Sequence, residues 1–375
     1  MSHVYGGRGV TVASGSGCRI RGTDGREYLD FLAAQGGALF GHAHPDLAAA
    51  LREAAGNPWT VGLGLDSPAR DEFLGYLRTL RPEGKAFLCN SGTEAIEAAL
   101  KLATSLRPGR GRILAARRAF HGRTMGALAL TFNPQYRKAW QHLLLPVEHI
   151  APEDLAGRVD GDVAAVFVEP IQGEGGVYPM PSSVAVALNE ACAAHGALLV
   201  ADEVQSGWGR CGDILASRIV GLNPDVVCLA KGLAGGLPAG AAVWRGDLGD
   251  FPAKGHGTTY GGNPLVASVG CAAWRLLHGK LYPRKAFELG RFFRAALAEI
   301  RSPLVRDVRG MGLLIGVEVS VKSPDVVRKL QEYGVLALPA GPSVVRFLPP
   351  FVAEEADCLA ARDALAAALD ECSES

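Results

Sequence analysis

Ala197-Leu-Leu-Val-Ala-Asp-Glu-Val-Gln205 and Asp225-Val-Val-Cys-Leu-Ala-Lys-Gly232 are two apolar runs that each lead into a charged group. Continuous apolar stretches of this kind read as central strands of a parallel sheet covered on both faces. In open α/β sheets ligands bind beyond the carboxyl ends of the strands, and Asp202 and Lys231 stand at those ends. A lysine there, its pKa lowered by burial, suits attack on an aldehyde. A carboxylate beside it can hold a pyridinium nitrogen protonated. Taken alone, the pair reads equally well as two loop charges at strand ends.

Working outward, residues 163–169 form another buried strand, and Ser182 to His195 has helical spacing that stops at Gly196. Gly240-Ala-Ala-Val-Trp244 closes the series. Strand and helix alternate, which predicts a mostly parallel sheet in an α/β fold. Long helices follow over about 264–278 and 283–300. The pattern then changes to strands at 305–319 and 344–348 and helices at 324–333 and 353–369, a smaller α+β domain. Near the start, residues 11–28 have hairpin character, with Asp24-Gly25 as the turn. The division expected is 1–40 as an N-terminal segment, 41–265 as the large domain and 266–375 as the small one.

The 375 residues suit two domains, and 48% are apolar, ample for a large core. The formal net charge is zero, so neither nucleic acid nor an anionic membrane is expected as a partner. Glycine supplies 48 residues, nearly double its usual share of about 7%. Met1-Ser-His-Val-Tyr-Gly-Gly-Arg8 lacks the apolar core of a signal peptide, and the eight cysteines show neither a C-x-x-C pair nor metal-site spacing with histidine. The expectation is a cytoplasmic protein with reduced cysteines and no metal.

Two further stretches carry chemistry. The strand-like Ala86-Phe-Leu-Cys runs into Asn90-Ser-Gly-Thr-Glu-Ala and then a helix pattern. Free N–H groups at a helix start, with Gly92 allowing close approach, suit a phosphate; an ordinary Ser or Thr cap with Glu94 in the first turn reads as well. Phe120-His-Gly-Arg-Thr offers a ring to stack on a ring and, in Arg123, a fork for a carboxylate.

Seven stretches in order now resemble one family. They are Asn90-Ser-Gly-Thr-Glu-Ala, Phe120-His-Gly-Arg-Thr, Glu169-Pro-Ile-Gln-Gly-Glu-Gly-Gly, Asp202-Glu-Val-Gln-Ser-Gly, Lys231-Gly, His256-Gly-Thr-Thr-Tyr-Gly-Gly-Asn-Pro-Leu and Arg346-Phe-Leu-Pro-Pro. The chain is similar to the class III, pyridoxal phosphate-dependent aminotransferases of fold type I. Within them it looks most like the acetylornithine branch and its relatives acting on lysine or ornithine bound to an amino-group carrier protein. The resemblance implies that Lys231 carries the cofactor and moves the proton, and that Asp202 holds its ring nitrogen. It implies that Gln205 bonds the phenolic oxygen, Phe120 stacks on the ring, and Gly92 and Thr93 donate to the phosphate. Thr259 would reach the phosphate of a partner subunit in a homodimer, with Thr258 touching substrate. Arg123 would bind the donor's α-carboxylate. Arg346 would bind that of 2-oxoglutarate or glutamate, and Glu174 would cover Arg346 while the donor is in place.

The implied reaction moves an ω-amino group between an N-blocked lysine or ornithine and 2-oxoglutarate, in lysine or arginine biosynthesis. Ornithine, 4-aminobutyrate and other ω-amino acid aminotransferases, and glutamate-1-semialdehyde aminomutase, are the alternatives inside the family. A dinucleotide-dependent oxidoreductase would need a G-x-G-x-x-G after the first strand, which is missing. A non-catalytic binding protein would not need Lys231, Asp202 and both arginines together. Where the family usually has a longer entrance segment, this chain has Gly56-Asn-Pro-Trp-Thr-Val-Gly-Leu-Gly-Leu-Asp66, read as an open mouth. The densest basic cluster, Arg107, Arg110, Arg112, Arg117 and Arg118, is a candidate surface for an acidic carrier protein.

Overall fold

The computed structural model describes residues 6–62 and 64–373. The stretch read at Met1 to Tyr5, and Leu63 of the entrance segment, lie outside the described residues. A seven-stranded sheet forms the centre. Its spatial order is Lys85–Cys89, Gly240–Trp244, Val226–Leu229, Leu198–Asp202, Val163–Val168, Arg112–Ala116 and Glu148–Ile150. All run parallel except Gly240–Trp244, which is antiparallel to both neighbours.

The apolar runs have the cause inferred for them. Every residue of Val163–Val168, Leu198–Asp202 and Val226–Leu229 is buried. Successive side chains point to opposite faces. Val200 packs with Ala95, Ile96, Ala99 and Ala103 of the helix Gly92–Leu106. Leu199 and Ala201 pack with Ala185, Leu188 and Cys192 of the helix Ser182–His195 on the other face. Each Val, Leu or Ile side chain among these contributes roughly 1.5–3 kcal/mol when buried. The second helix ends at Gly196, whose φ of +66° is the left-handed stop that glycine accepts at low cost.

The C-terminal part builds a four-stranded antiparallel sheet from Val305–Met311, Leu314–Val319, Val344–Phe347 and Leu338–Pro339. Helices Tyr282–Ala298, Ser323–Glu332 and Glu355–Ser373 flank it. The N-terminal segment is a three-stranded meander, Val12–Ser16, Arg19–Gly22 and Glu27–Asp30, rather than one hairpin. Its Asp24-Gly25 turn is present: Gly25 has φ +82° and Asp24 accepts from the Arg26 N–H at 3.1 Å. Val335–Leu336 adds a parallel fourth strand, so the N-terminal meander and the C-terminal part share a sheet. Helix Pro264–Gly279 packs against Pro45–Ala54 and Pro68–Arg78. No helix among the described residues is long and apolar enough to cross a membrane.

Candidate active site

Asp202 closes its strand and is 5% exposed. Its Oδ1 accepts from the Val204 N–H at 3.0 Å, and its Oδ2 lies 2.8 Å from Nδ1 of His121. The His121 side chain is fully buried, and its backbone N–H is held by Thr131 Oγ1 at 2.9 Å. Sequence reasoning quoted His121 within its motif but gave it no role. The structure makes it the group that orients Asp202.

Lys231 begins a short 3-10 turn, Lys231–Ala234, beyond Val226–Leu229, with φ +50°. The glycine after it is required, because a Cβ at Gly232 would lie 2.6 Å from Leu39 Cδ2. Burial pushes the Lys231 amine down to about 8, and Arg346 adds to this, while Glu174, Asp202 and Glu169 pull it back. A second unusual turn adjoins it. Ala33, Ala34 and Gln35 have φ of 46°, 49° and 55°, each costing roughly 1–2 kcal/mol for a residue with a Cβ. Asp30 holds the turn, accepting from Leu32 N–H at 3.0 Å and Ala33 N–H at 2.8 Å, and is itself fixed by His42 at 2.7 Å. A Cβ at the following Gly36 would come within 3.7 Å of Lys231 Cδ.

Arg346, 1% exposed, donates to Glu174 Oε1 at 2.6 Å and to Gln205 Oε1 at 3.0 Å. Burial would raise the Glu174 pKa, but Arg346 outweighs it and holds the carboxyl below its usual range. Glu169 behaves oppositely. Burial, then the neighbouring Asp202 charge, raise it well above the normal carboxylate range, and its Oε2 accepts from the Phe120 N–H at 3.0 Å. Glu203 is structural: it accepts from Ser206 Oγ, Ala216 N–H and Ser217 N–H at 2.6–3.0 Å, fixing the loop that carries Gln205.

At the start of helix Gly92–Leu106 the structure shows the cap read from the sequence. Ser91 is the cap, its Oγ accepting from Glu94 N–H at 3.3 Å, while Glu94 Oε2 accepts from the N–H of Asn90, one residue before the cap, at 2.9 Å. The N–H groups of Gly92 and Thr93 still have no acceptor within the helix. A Cβ at Gly92 would sit 2.7 Å from Val204 Cγ1, so glycine lets the loop after Asp202 approach the helix start. Thr93 Oγ1 accepts from Arg123 N–H at 3.3 Å and pairs with Thr124 Oγ1 at 2.7 Å. Thr258 Oγ1 accepts from Gly261 N–H at 3.1 Å and Asn90 Nδ2 at 3.2 Å, and Thr259 is exposed.

A cleft of about 710 Å³ opens beside these groups, lined among others by Arg118, Phe120, Tyr136, Glu174, Tyr178 and Ala340. Arg123 is exposed, with its guanidinium carbon 3.6 Å from the Tyr136 ring centre and 5.6 Å from that of Phe120. Two expectations change here. Within the single chain, none of the described residues of 56–66 lines this cleft. Asn57, Pro58, Val61 and Asp66 border a separate hollow with Ser67, Pro68, Pro264 and Ser268, and Trp59 and Leu65 are exposed. The five-arginine cluster is not one surface. Arg107 and Arg110 donate to backbone carbonyls, Gly196 for the first and Val163 and His195 for the second. Arg112 is neutralised by Glu148 at 2.7 Å and by Asp160, at the amino end of its strand. The amino ends of these strands lie across the sheet from Asp202. Arg117 donates to the His149 carbonyl at 3.2 Å. Only Arg118 faces the cleft.

These groups fit a cofactor with a phosphate, an aromatic ring, a ring nitrogen and an aldehyde. Free helix N–H groups, Phe120, the His121-held Asp202 and the depressed amine of Lys231 answer to them in turn. The comparisons agree. The family model described as Aminotransferase class-III matches residues 4–369. LysW-aminoadipate semialdehyde transaminase of Deinococcus radiodurans is 39% identical over 94% of this chain and 84% of that protein. Acetylornithine aminotransferase of Mycolicibacterium smegmatis is 41% identical over 100% of this chain and 97% of that protein. The ornithine aminotransferase of Toxoplasma gondii, solved with partial occupancy of pyridoxal phosphate at its active site, superposes with a TM-score of 0.92. It is 30% identical and covers 100% of this chain and 94% of that one. Fold, site and relatives converge: the chain belongs to the class III aminotransferases and is a pyridoxal phosphate-dependent enzyme.

Proposed function

We propose that this enzyme moves an amino group between the ω-amine of an N-blocked lysine or ornithine, acetylated or carrier-linked, and 2-oxoglutarate, yielding a semialdehyde and glutamate reversibly. The observation that carries the reading is the pairing of two arginines of opposite character at one site. Arg346 is buried and covered by Glu174 at 2.6 Å, whereas Arg123 is exposed, stacks on Tyr136 and has no carboxylate partner among the described residues. Two of the relatives are named for a LysW-linked aminoadipate semialdehyde and for acetylornithine, which supports an N-blocked donor here.

When bound, the cofactor supplies a reactive aldehyde carbon and an electron-withdrawing ring. Lys231 would hold it, and its neutral amine would take the proton from the substrate carbon bearing the amino group. Asp202, oriented by His121, keeps the ring nitrogen protonated. Gly92 and Thr93 N–H groups hold the phosphate, Phe120 stacks on the ring and Gln205 serves the phenolic oxygen. Thr258 touches substrate, and Thr259 reaches the phosphate in the neighbouring subunit of a homodimer. The exposed Thr259, Tyr260, Trp59 and Leu65 support that assembly. Arg123 grips the donor's α-carboxylate while Glu174 covers Arg346. Glu174 then yields Arg346 to the diacid, so one site serves two unlike substrates. Residues 1–40 and 266–375 act as one small domain beside 41–265, a division supported by the strand that Val335–Leu336 adds to the N-terminal meander. The eight free thiols, seven of them buried, favour a cytoplasmic enzyme.

A panel of N-acetylornithine, carrier-linked lysine, ornithine and 4-aminobutyrate, each with 2-oxoglutarate, tests the reading. The N-blocked donors are expected to have the highest kcat/KM. Preference for a free ω-amino acid would reject it. Arg346→Ala is expected to impair the 2-oxoglutarate half-reaction roughly ten- to a hundredfold more than the donor half-reaction, and Arg123→Ala the reverse. Single-turnover measurements of each half check this; equal damage to both from either change would refute the division.

The Lys231 amine also sets a pH dependence. Its pKa of about 8 lies below the ordinary lysine value of 10.5. Neutral amine, the attacking form, therefore accumulates as pH rises through about 8. Capture of pyridoxal phosphate by apoenzyme is expected to accelerate across that range and level off above it, as followed by the visible absorbance. A rate still climbing near pH 10 would mean that the amine is not depressed.

A further inference from the structure

Arg118 is the cation at the cleft whose charge nothing else in the site explains. It lines the cleft with Glu174 and Tyr178, and its guanidinium carbon lies 4.5 Å from the Tyr178 ring centre. Among the described residues its side chain makes no hydrogen bond and no ion pair. Arg309, which stacks on the same ring at 4.0 Å, differs: it is taken up by Asp307, Glu318 and the Gly176 carbonyl. The backbone under Arg118 is fixed. Its φ of +67° is a left-handed conformation rarely adopted by a residue with a side chain. The preceding carbonyl, of Arg117, accepts from Gln172 Nε2 at 2.6 Å, and Gly175 passes so close that a Cβ would lie 2.5 Å from the Arg118 oxygen. The hairpin carrying Glu174 thus holds Arg118 at the mouth, with its donors unused.

The site therefore offers the incoming donor two guanidinium groups without a carboxylate partner among the described residues, Arg123 and Arg118. An acetyl-blocked ornithine or lysine entering amine-first brings only its α-carboxylate. We propose that Arg118 is a specificity-determining residue that pairs with a second anionic group, borne by the blocking group itself. The preferred donors are then N-acyl lysines or ornithines whose acyl part carries a carboxylate, as an acidic peptide chain end does and an acetyl group does not. This rests on the N-blocked-donor reading above. It uses one arginine beside the cleft rather than a broad basic face.

Donor half-reactions of the holoenzyme with N-acetylornithine and N-succinylornithine, which differ in the added carboxylate, test the proposal. The wild type is expected to favour the succinyl donor by roughly ten- to a hundredfold in kcat/KM, the range of a charge-assisted hydrogen bond. Salt should shrink that ratio. In Arg118→Gln the ratio should fall to near one, and Arg118→Lys should restore part of it, having the charge without the planar fork. A wild-type ratio near one, or a ratio unchanged in Arg118→Gln, overturns the proposal. So does an equal loss on both donors, which would mark a purely structural role. Free ornithine outrunning both acyl donors would reject the N-blocked reading, while the ratio between the two acyl donors would still decide the role of Arg118.

Discussion

Lys231→Ala is expected to leave no transamination above background, a loss of roughly ten-thousandfold or more, while pyridoxal phosphate still binds without a covalent link. Two roles vanish together, the covalent hold on the cofactor and the base that moves the proton. The phosphate, ring and nitrogen contacts lie on other residues, so binding survives. The variant removes an amine that burial already disfavours in its charged form, so the fold should tolerate it. Steady-state turnover and the absorbance of the bound cofactor are the measurements. Turnover within tenfold of wild type would show that Lys231 is not the essential amine.

Asp202→Asn is expected to cost several orders of magnitude in rate with little change in structure. The amide keeps the size of the carboxylate, and its oxygen can still accept from Val204 N–H, the bond now 3.0 Å long. What it cannot do is hold a proton on a ring nitrogen, and with that the ring's pull on electrons weakens. His121→Asn is the informative companion. It removes the group 2.8 Å from Asp202 but leaves the charge, so it should lose about tenfold, the worth of one orienting hydrogen bond. If Asp202→Asn retains the wild-type rate, the carboxylate does not serve the ring nitrogen.

Much of the site was legible because it hangs on the ends of parallel strands. Asp202 and Lys231 follow runs whose unbroken apolarity comes from burial on both faces, and Gly196 marks the end of a helix by the conformation it alone takes easily. Other features left no local trace. His121 and Asp202 are far apart in sequence and meet only because their strands are close in the sheet. Alanine favours right-handed helix, so nothing in Ala33-Ala34-Gln35 announces a left-handed turn. It exists because Asp30 and His42 hold it. The arginine cluster misled for a related reason. Residues 107–118 cross the sheet along one strand, which separates Arg112 from Arg118 by the strand's length, and proximity in sequence hid that separation. The entrance segment was placed by family habit, whereas its position within a single chain is set by packing beside helix Pro264–Gly279.

The pairing of Glu27–Asp30 with Val335–Leu336 bears on when the enzyme comes alive. The strand that delivers Asp30, and with it the turn beside Lys231, is completed by Val335–Leu336, which lie far later in the chain than Lys231. Chains emerge from the ribosome N-terminus first, and contacts between distant residues must meet the entropy of closing a long loop. The large sheet can assemble before Val335–Leu336 emerge, but the wall next to the lysine cannot. A growing chain therefore holds the amine before it holds the completed wall beside it.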